Sequence, residues 1–271
     1  MVPVVISGLP GAVGRALVDE VTRADDLELV PIALTSPRHA GSTYETDDGA
    51  ITLVETAQVG EQPLPRGTII VDFTTPSAVL PNVEHYCSAR HPFVLGTSAD
   101  TISQAAARVK ASAVSAVIAA NMAIPVILLQ AALAHIAERF AGAMTGGTLS
   151  IVESHQVAKR DISGTARAML GDFEALGLPV SPQTIEAVRD EARARAWGVP
   201  EAHLEGHAYH DFVMDDPSGA ASLTFATRVH GRAVYAAGAI TAVRYLHEQL
   251  QAGVRGEVFS MVDVLTRAGR R

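Results

Sequence analysis

Val4-Val5-Ile6-Ser7-Gly8-Leu9-Pro10-Gly11-Ala12-Val13-Gly14 runs from a short apolar strand through a glycine-punctuated turn into a helix expected from about Val13 to Arg23. Glycine at 8, 11 and 14 removes the side chains that would keep a pyrophosphate from backbone N–H groups, and the helix start adds its positive dipole end. A second strand follows at Leu29–Leu34, so the stretch opens a βαβ unit. Three glycines alone also fit a tight turn with no ligand. Their place at the first βα turn favours a dinucleotide site contacted by Gly8, Gly11, Ala12, Val13 and Gly14.

The second strand leads into Leu34-Thr35-Ser36-Pro37-Arg38, with no acidic residue where one would bind a ribose 2′-hydroxyl. Ser36 and Arg38 suit a 2′-phosphate instead, which favours NADPH over NADH, although Arg38 equally fits a solvated loop charge. Further strands are expected at Ile51–Val54, Thr68–Val71 and Phe93–Leu95, with a buried strand at Ala116–Ala120. Helical spacing over Ser77–Arg90 and Ile102–Lys110 alternates with them, and residues 37–50 read as polar turns. Five or six parallel strands are accounted for by residue 121.

Beyond Asn121 the pattern changes to a helix of about 15 residues starting near Pro125, a strand at Thr148–Glu153 and a helix at Thr165–Leu176. Strands near Leu204–Met214 and at Ser222–Val229 flank the hairpin signal Asp215-Asp216-Pro217-Ser218-Gly219. Ser181–Trp197 reads as charged and helical, and the tail Ala239–Arg271 as helical with a basic end. The expected fold class is α/β, a Rossmann-like parallel-sheet domain with a second α+β mixed-sheet module.

A chain of 271 residues with 48% hydrophobic content can bury a sizeable core. A formal charge of -8 argues against nucleic acid and anionic membranes, so an anionic substrate needs local positive charge. Cys87 is the only cysteine, which excludes an intrachain disulfide and a cysteine-based metal site. With no signal-like start, a reducing cytoplasm is expected. The uncharged stretch Ala111–Ala134 has the length of a membrane span, but Asn121 and Pro125 divide it into a strand and a helix.

Glu153-Ser154-His155-Gln156-Val157-Ala158-Lys159-Arg160-Asp161-Ile162-Ser163-Gly164-Thr165 brings a His, a Lys and a capping turn after one strand. His and Lys four apart also fit a plain surface segment. The hydroxyls and free N–H groups of Ser163-Gly164-Thr165 beside two potential cations point to a dicarboxylate.

This segment resembles that of dihydrodipicolinate reductase, most closely its plant-type branch. The similarity spans nearly the whole chain and includes Gly8–Gly14, Val71-Asp72-Phe73-Thr74, Phe93-Val94-Leu95-Gly96-Thr97, Val199–Leu204, Gly206-His207-Ala208 and Gly231–Ala236. The resemblance implies a dinucleotide-binding domain at 1–122 completed by 233–271, with a substrate and oligomerisation domain inserted at 123–232. It implies that Phe73, Gly96, Thr97, Ala120, Asn121 and Met122 serve the cofactor. His155 is the implied proton donor, a role that Lys159 can share. Lys159 and Arg232 meet substrate carboxylates, and Ser163, Gly164 and Thr165 cradle one of them.

The implied reaction is reduction of 4-hydroxy-tetrahydrodipicolinate by a homo-oligomer, a dimer or tetramer, in lysine and diaminopimelate biosynthesis. Ser98-Ala99 and Met122-Ala123-Ile124-Pro125 depart from the family pattern and leave open a relative acting on another cyclic imine carboxylate. A silent nucleotide-binding protein is the alternative of a different class. His203, His207 and His210 are spaced suggestively for zinc, but strand geometry parts His207 from His210 and no fourth ligand is evident, so no metal is expected. Ser163 lacks a nucleophile elbow and reads as a cap.

Overall fold

The computed structural model describes residues 1–181 and 184–268. The chain divides into two units, Met1–Met122 with Tyr235–Arg271, and Ala123–Val234.

The first unit is built on a sheet of order β12-β7-β6-β5-β1-β2-β4-β3. From β1 (Val2–Ser7) and α1 (Ala12–Thr22) the chain steps outward to β2 (Leu27–Thr35), β3 (Thr43–Thr46) and β4 (Gly49–Glu55). It then returns to β5 (Ile69–Asp72) on the other side of β1 and continues through α2 (Val79–Ser88), β6 (Phe93–Leu95), α3 (Ile102–Lys110) and β7 (Ala116–Ile118). Every pairing is parallel except β3 with β4. The reversal between β1 and β5 leaves a crevice at their carboxyl ends, where open α/β sheets bind ligands. The strands are apolar on both faces because both are covered; Val5, Ile70, Phe93 and Leu95 are buried with Val83 and Tyr86 of α2 and Val109 of α3.

The second unit holds α4 (Ile124–Arg139), β8 (Thr148–His155), α5 (Gly164–Ala168), α6 (Leu170–Ala175), β9 (Ile185–Val188), α7 (Glu191–Ala196), β10 (Ala208–Asp215) and β11 (Ser222–Val229). Its sheet has order β11-β10-β8-β9, antiparallel except for the parallel pair β8 and β9. Leu133 and Ala137 of α4, Phe173 of α6 and Ile151, Phe212 and Met214 of the sheet form its core. The chain then enters α8 (Ala233–Gln251), β12 (Val258–Phe259) and α9 (Met261–Ala268).

Four expectations need correction. Residues 37–50 contain β3, whose exposed Thr43, Glu45 and half-buried Tyr44 give it little apolar signal. Thr165–Leu176 is two short helices, because at Met169 the backbone bonds to Ala166, three residues back. Ser181–Trp197 is not one helix: Ile185–Val188 pairs with Ile151–Ser154, and tertiary pairing overrides helical composition. Pro182 and Gln183 of that segment lie outside the described residues. The tail contains β12, two residues added beside β7. The stretch Ala111–Ala134 divides between β7 and α4, and among the described residues no helix is long and apolar enough to cross a membrane.

Candidate active site

In the first unit, the turn after β1 is shaped for close backbone approach. Gly8 has φ +115, and a Cβ there would lie 2.3 Å from the Phe73 carbonyl oxygen. Gly11 caps α1 without any side-chain hydrogen bond, which leaves the first-turn N–H groups available. The turn is braced by the Gly11 N–H donating to the Gly8 carbonyl and by Thr35 Oγ1 donating to the Leu9 carbonyl at 2.6 Å. Around it lies a cavity of about 770 Å³, lined by Gly8–Gly11, Thr35–Pro37, His39, Glu55–Ala57, Phe73–Thr75 and residues of α2 and its approach. A cradle that one added methyl would fill, opening on this volume, fits a nucleotide diphosphate.

Of the residues expected to serve the cofactor, Gly8, Gly11, Ser36 and Phe73 line the cavity. Ala12, Val13 and Gly14 form the first turn of α1 beside it. Arg38 is exposed and is not among the lining residues. His39, Glu55, Asn82 and His85 do line it, and no motif in the sequence marked them. Glu55 ends β4, so reading that strand's carboxyl end as part of the crevice was the available signal.

Gly96 and Thr97 belong to a second brace. A Cβ on Gly96 would lie 2.2 Å from the Phe73 ring, so that ring and loop pack only with glycine. The wholly buried Asp72 accepts hydrogen bonds from Tyr86, Asn82, Thr74 and Thr97, and burial raises its carboxyl pKa. Thr97 Oγ1 also accepts the Thr74 N–H at 2.8 Å, tying the two loops together. Ala120 is exposed, Asn121 half-buried, and Met122 fully buried against Gly238 of α8.

The family departures are absorbed locally. Ala99 packs on the first unit's core, and Arg90 is the non-glycine residue at positive φ among the described residues. Pro125 sits in the first turn of α4, where no intrahelical N–H bond is lost.

In the second unit, strand alternation sorts the side chains of β8. Glu153 lies opposite His210 in register, while Ser154 bonds His207 Nε2 at 2.8 Å. The His155 and His210 rings meet edge to face at 5.2 Å. Ser163 Oγ accepts the Thr165 N–H as the cap of α5 and bonds His210 Nε2 at 3.0 Å. Lys159 Nζ pairs with Asp161 at 2.9 Å. The Ser163–Thr165 turn is thus bonded to His210, the His155 ring packs on His210, and the charge of Lys159 is felt at His155. Arg232 is half-buried and makes no hydrogen bond or ion pair to another described residue; its charge is felt at His207, whose pKa is lowered mainly by burial.

Burial, then the charge of His210, Arg189 and Lys159, pushes the His155 imidazole down to about 2. Burial and Arg189 likewise push His210 down to about 4. Both rings are neutral near pH 7, and His155 Nε2 and Gln156 Oε1 are buried with no hydrogen-bond partner. Lys159 and Arg189, whose charges are felt at His155, are each paired with a carboxylate, Asp161 and Glu153 respectively.

Glu153, His155 and His210 offer ligand atoms within 4.8 Å of one another. Both Glu153 oxygens, however, accept the Ser163 N–H, Oε1 also pairs with Arg189, and His210 Nε2 is bonded to Ser163. This is a hydrogen-bond network with a cation already on its carboxylate, a poor set for a metal ion. His203 stacks on His230, away from the His207–Ser154 and His210–Ser163 bonds, so the three spaced histidines do not converge.

The family profile "Dihydrodipicolinate reductase, N-terminus" matches residues 2–122 and "Dihydrodipicolinate reductase, C-terminus" matches residues 126–265. The chain is 34% identical to a probable 4-hydroxy-tetrahydrodipicolinate reductase 1, chloroplastic, of Oryza sativa subsp. japonica, over 99% of this chain and 80% of the relative. It is 33% identical to 4-hydroxy-tetrahydrodipicolinate reductase 2, chloroplastic, of Arabidopsis thaliana, over 100% of this chain and 79% of the relative. A solved structure of dipicolinate-bound dihydrodipicolinate reductase from Paenisporosarcina sp. TG-14 has the same fold, with TM-score 0.63 and 17% identity over 96% of this chain and 97% of that one. Two matched profiles spanning both units, and relatives aligned over nearly the whole of this chain, place it in the dihydrodipicolinate reductase family.

Proposed function

We propose that the chain reduces 4-hydroxy-tetrahydrodipicolinate to tetrahydrodipicolinate, a step of lysine and diaminopimelate biosynthesis, with NADPH as its preferred reductant. The observation that carries this reading is the β8 network, which groups Lys159, the unpartnered Nε2 of His155 and the Ser163 turn in the second unit. The first unit holds the dinucleotide through Gly8, Gly11, Ala12, Val13 and Gly14, with Ser36 near the ribose and Phe73, Gly96, Thr97, Ala120, Asn121 and Met122 serving the nicotinamide end. NADPH over NADH is supported by Ser36 at the cavity and by the lack of an acidic residue directly after β2.

The reduced nicotinamide, when bound, supplies hydride. Ser163, Gly164 and Thr165 hold one substrate carboxylate by hydroxyl and backbone N–H groups, and Arg232 meets the other. Loss of the ring hydroxyl as water leaves a conjugated cyclic imine; one hydride and one proton then complete the reduction. Lys159 delivers that proton, because its ammonium is held beside Asp161 while the neighbouring His155 is neutral at physiological pH. His155 donates or accepts a hydrogen bond through Nε2 and orients the ring. A reducing cytoplasm and self-association belong to the same reading; β11 is an edge strand carrying the exposed Leu223, a surface suited to a second copy.

The test is spectrophotometric, with purified protein, NADPH and freshly generated substrate. Wild-type protein is expected to oxidise NADPH, and Lys159→Ala to lower kcat by about 100-fold or more while the NADPH Kd stays within roughly twofold. Tight NADPH binding without oxidation would support a different cyclic imine or a silent protein instead.

A further inference from the structure

Glu153 and Arg189 have no place in the scheme above, yet the loop that carries Lys159 and Ser163 hangs on them. Glu153, on β8, is completely buried, and Arg189, directly after β9, pairs with it at 2.5 Å. The same guanidinium donates through Nε to the Lys159 carbonyl at 2.8 Å and through Nη2 to the Asp161 carbonyl at 3.0 Å. Its Nη1 donates to the Val188 carbonyl at 2.9 Å. From the other side, the Glu153 carboxylate accepts the Ser163 N–H at 3.0 and 3.2 Å. One ion pair, its carboxylate buried and its guanidinium half-buried, thus grips the loop backbone at 159, 161 and 163.

Stability alone is a poor reason for such a pair. Burying two charges costs about as much as their attraction returns, and apolar residues of similar volume often do as well. What an apolar replacement cannot do is satisfy two loop carbonyls and a loop N–H in fixed directions. Arginine suits the task because its planar fork presents five donors in set directions; lysine has three donors on a single nitrogen and cannot reach a carboxylate and two carbonyls together.

We infer that Glu153 and Arg189 are positioning residues, which set where Lys159 and the Ser163 turn meet the substrate without touching it. This rests on the reading of Lys159 and Ser163 as substrate-handling groups. The parallel pairing of β8 with β9 brings Arg189 level with the end of β8, which gives that edge strand a purpose beyond closing the sheet.

Arg189→Lys tests the inference, because it keeps the charge opposite Glu153 and removes only the fork. The full-length variant is expected to melt within a few degrees of wild type and to keep the wild-type NADPH affinity, yet to lose about 100-fold in kcat/KM, mostly in kcat, as a displaced acid should. Arg189→Ala, where it folds, is expected to regain activity with added guanidinium ion, which a merely structural role would not produce. A folded Arg189→Lys with kcat/KM within twofold of wild type overturns the inference. So does a lysine variant that fails to fold, since the pair then serves the fold as a whole. Should wild-type protein itself not reduce the substrate, the functional reading fails separately. Amide exchange then decides the pair: faster exchange at Ser163 in Arg189→Lys supports it, and unchanged exchange overturns it.

Discussion

Gly8 illustrates how much a single position can decide. Its φ of +115 lies where L side chains are strained, and the space a Cβ would need is occupied by the Phe73 carbonyl oxygen. Gly8→Ala must therefore part β1 from the segment after β5, at a cost of at least about 1–3 kcal/mol in backbone strain alone. Denaturant titration is expected to show that loss, and fluorescence titration the loss of NADPH binding; a variant with wild-type midpoint and affinity would refute the role given to the turn. Residues of this kind were legible in the sequence because their constraint is local: strand, turn and helix start follow one another. Arg189 was not, because its partners sit 36, 30 and 28 positions away and only the sheet brings them together. Arg38 shows the converse, a charge in a suggestive place that is exposed beside the cavity without lining it.

At the scale of elements, the pairing of β8 with β10 buries His210, 1% exposed, against Phe212 and Ser163. Burial first, then Arg189, holds its pKa at about 4 against an ordinary 6.5. Above pH 6.5 the ring is neutral folded or unfolded and costs nothing. As pH falls below that value the unfolded chain takes up a proton that the folded one refuses, so stability declines down to about pH 4. One such group removes about 3 kcal/mol over that window, and His155 acts in the same direction. Denaturation midpoints measured across the window are expected to fall, with a shallower slope in His210→Gln; identical slopes would mean that the ring titrates normally in the folded state.

The elements themselves were mostly legible. Strands buried on both faces announce themselves as apolar runs, and β1, β2, β4, β5, β6 and β7 were all recognised by residue 121. β3, β9 and β12 were not, being two to four residues long and set at sheet edges or ends, where pairing rather than composition makes the strand.

For the whole molecule, the two units carry separate features: a cradle that fits a nucleotide diphosphate in one, and neutral buried histidines beside Lys159 and Arg189 in the other. In a chain of net charge -8, Lys159, Arg189 and Arg232 all lie in the second unit, where their charges are felt at His155 or His207. The order of motifs along the chain made the family legible; the chemistry within it turns on whether a reduced nicotinamide passes its hydride to a cyclic imine dicarboxylate. Cofactor deuterated at the transferring carbon measures that step directly. Mass spectrometry of the product should show one deuterium in the ring for each NADPH consumed, and oxidation of the cofactor with no label in the ring, or no turnover of that acid at all, would contradict the account.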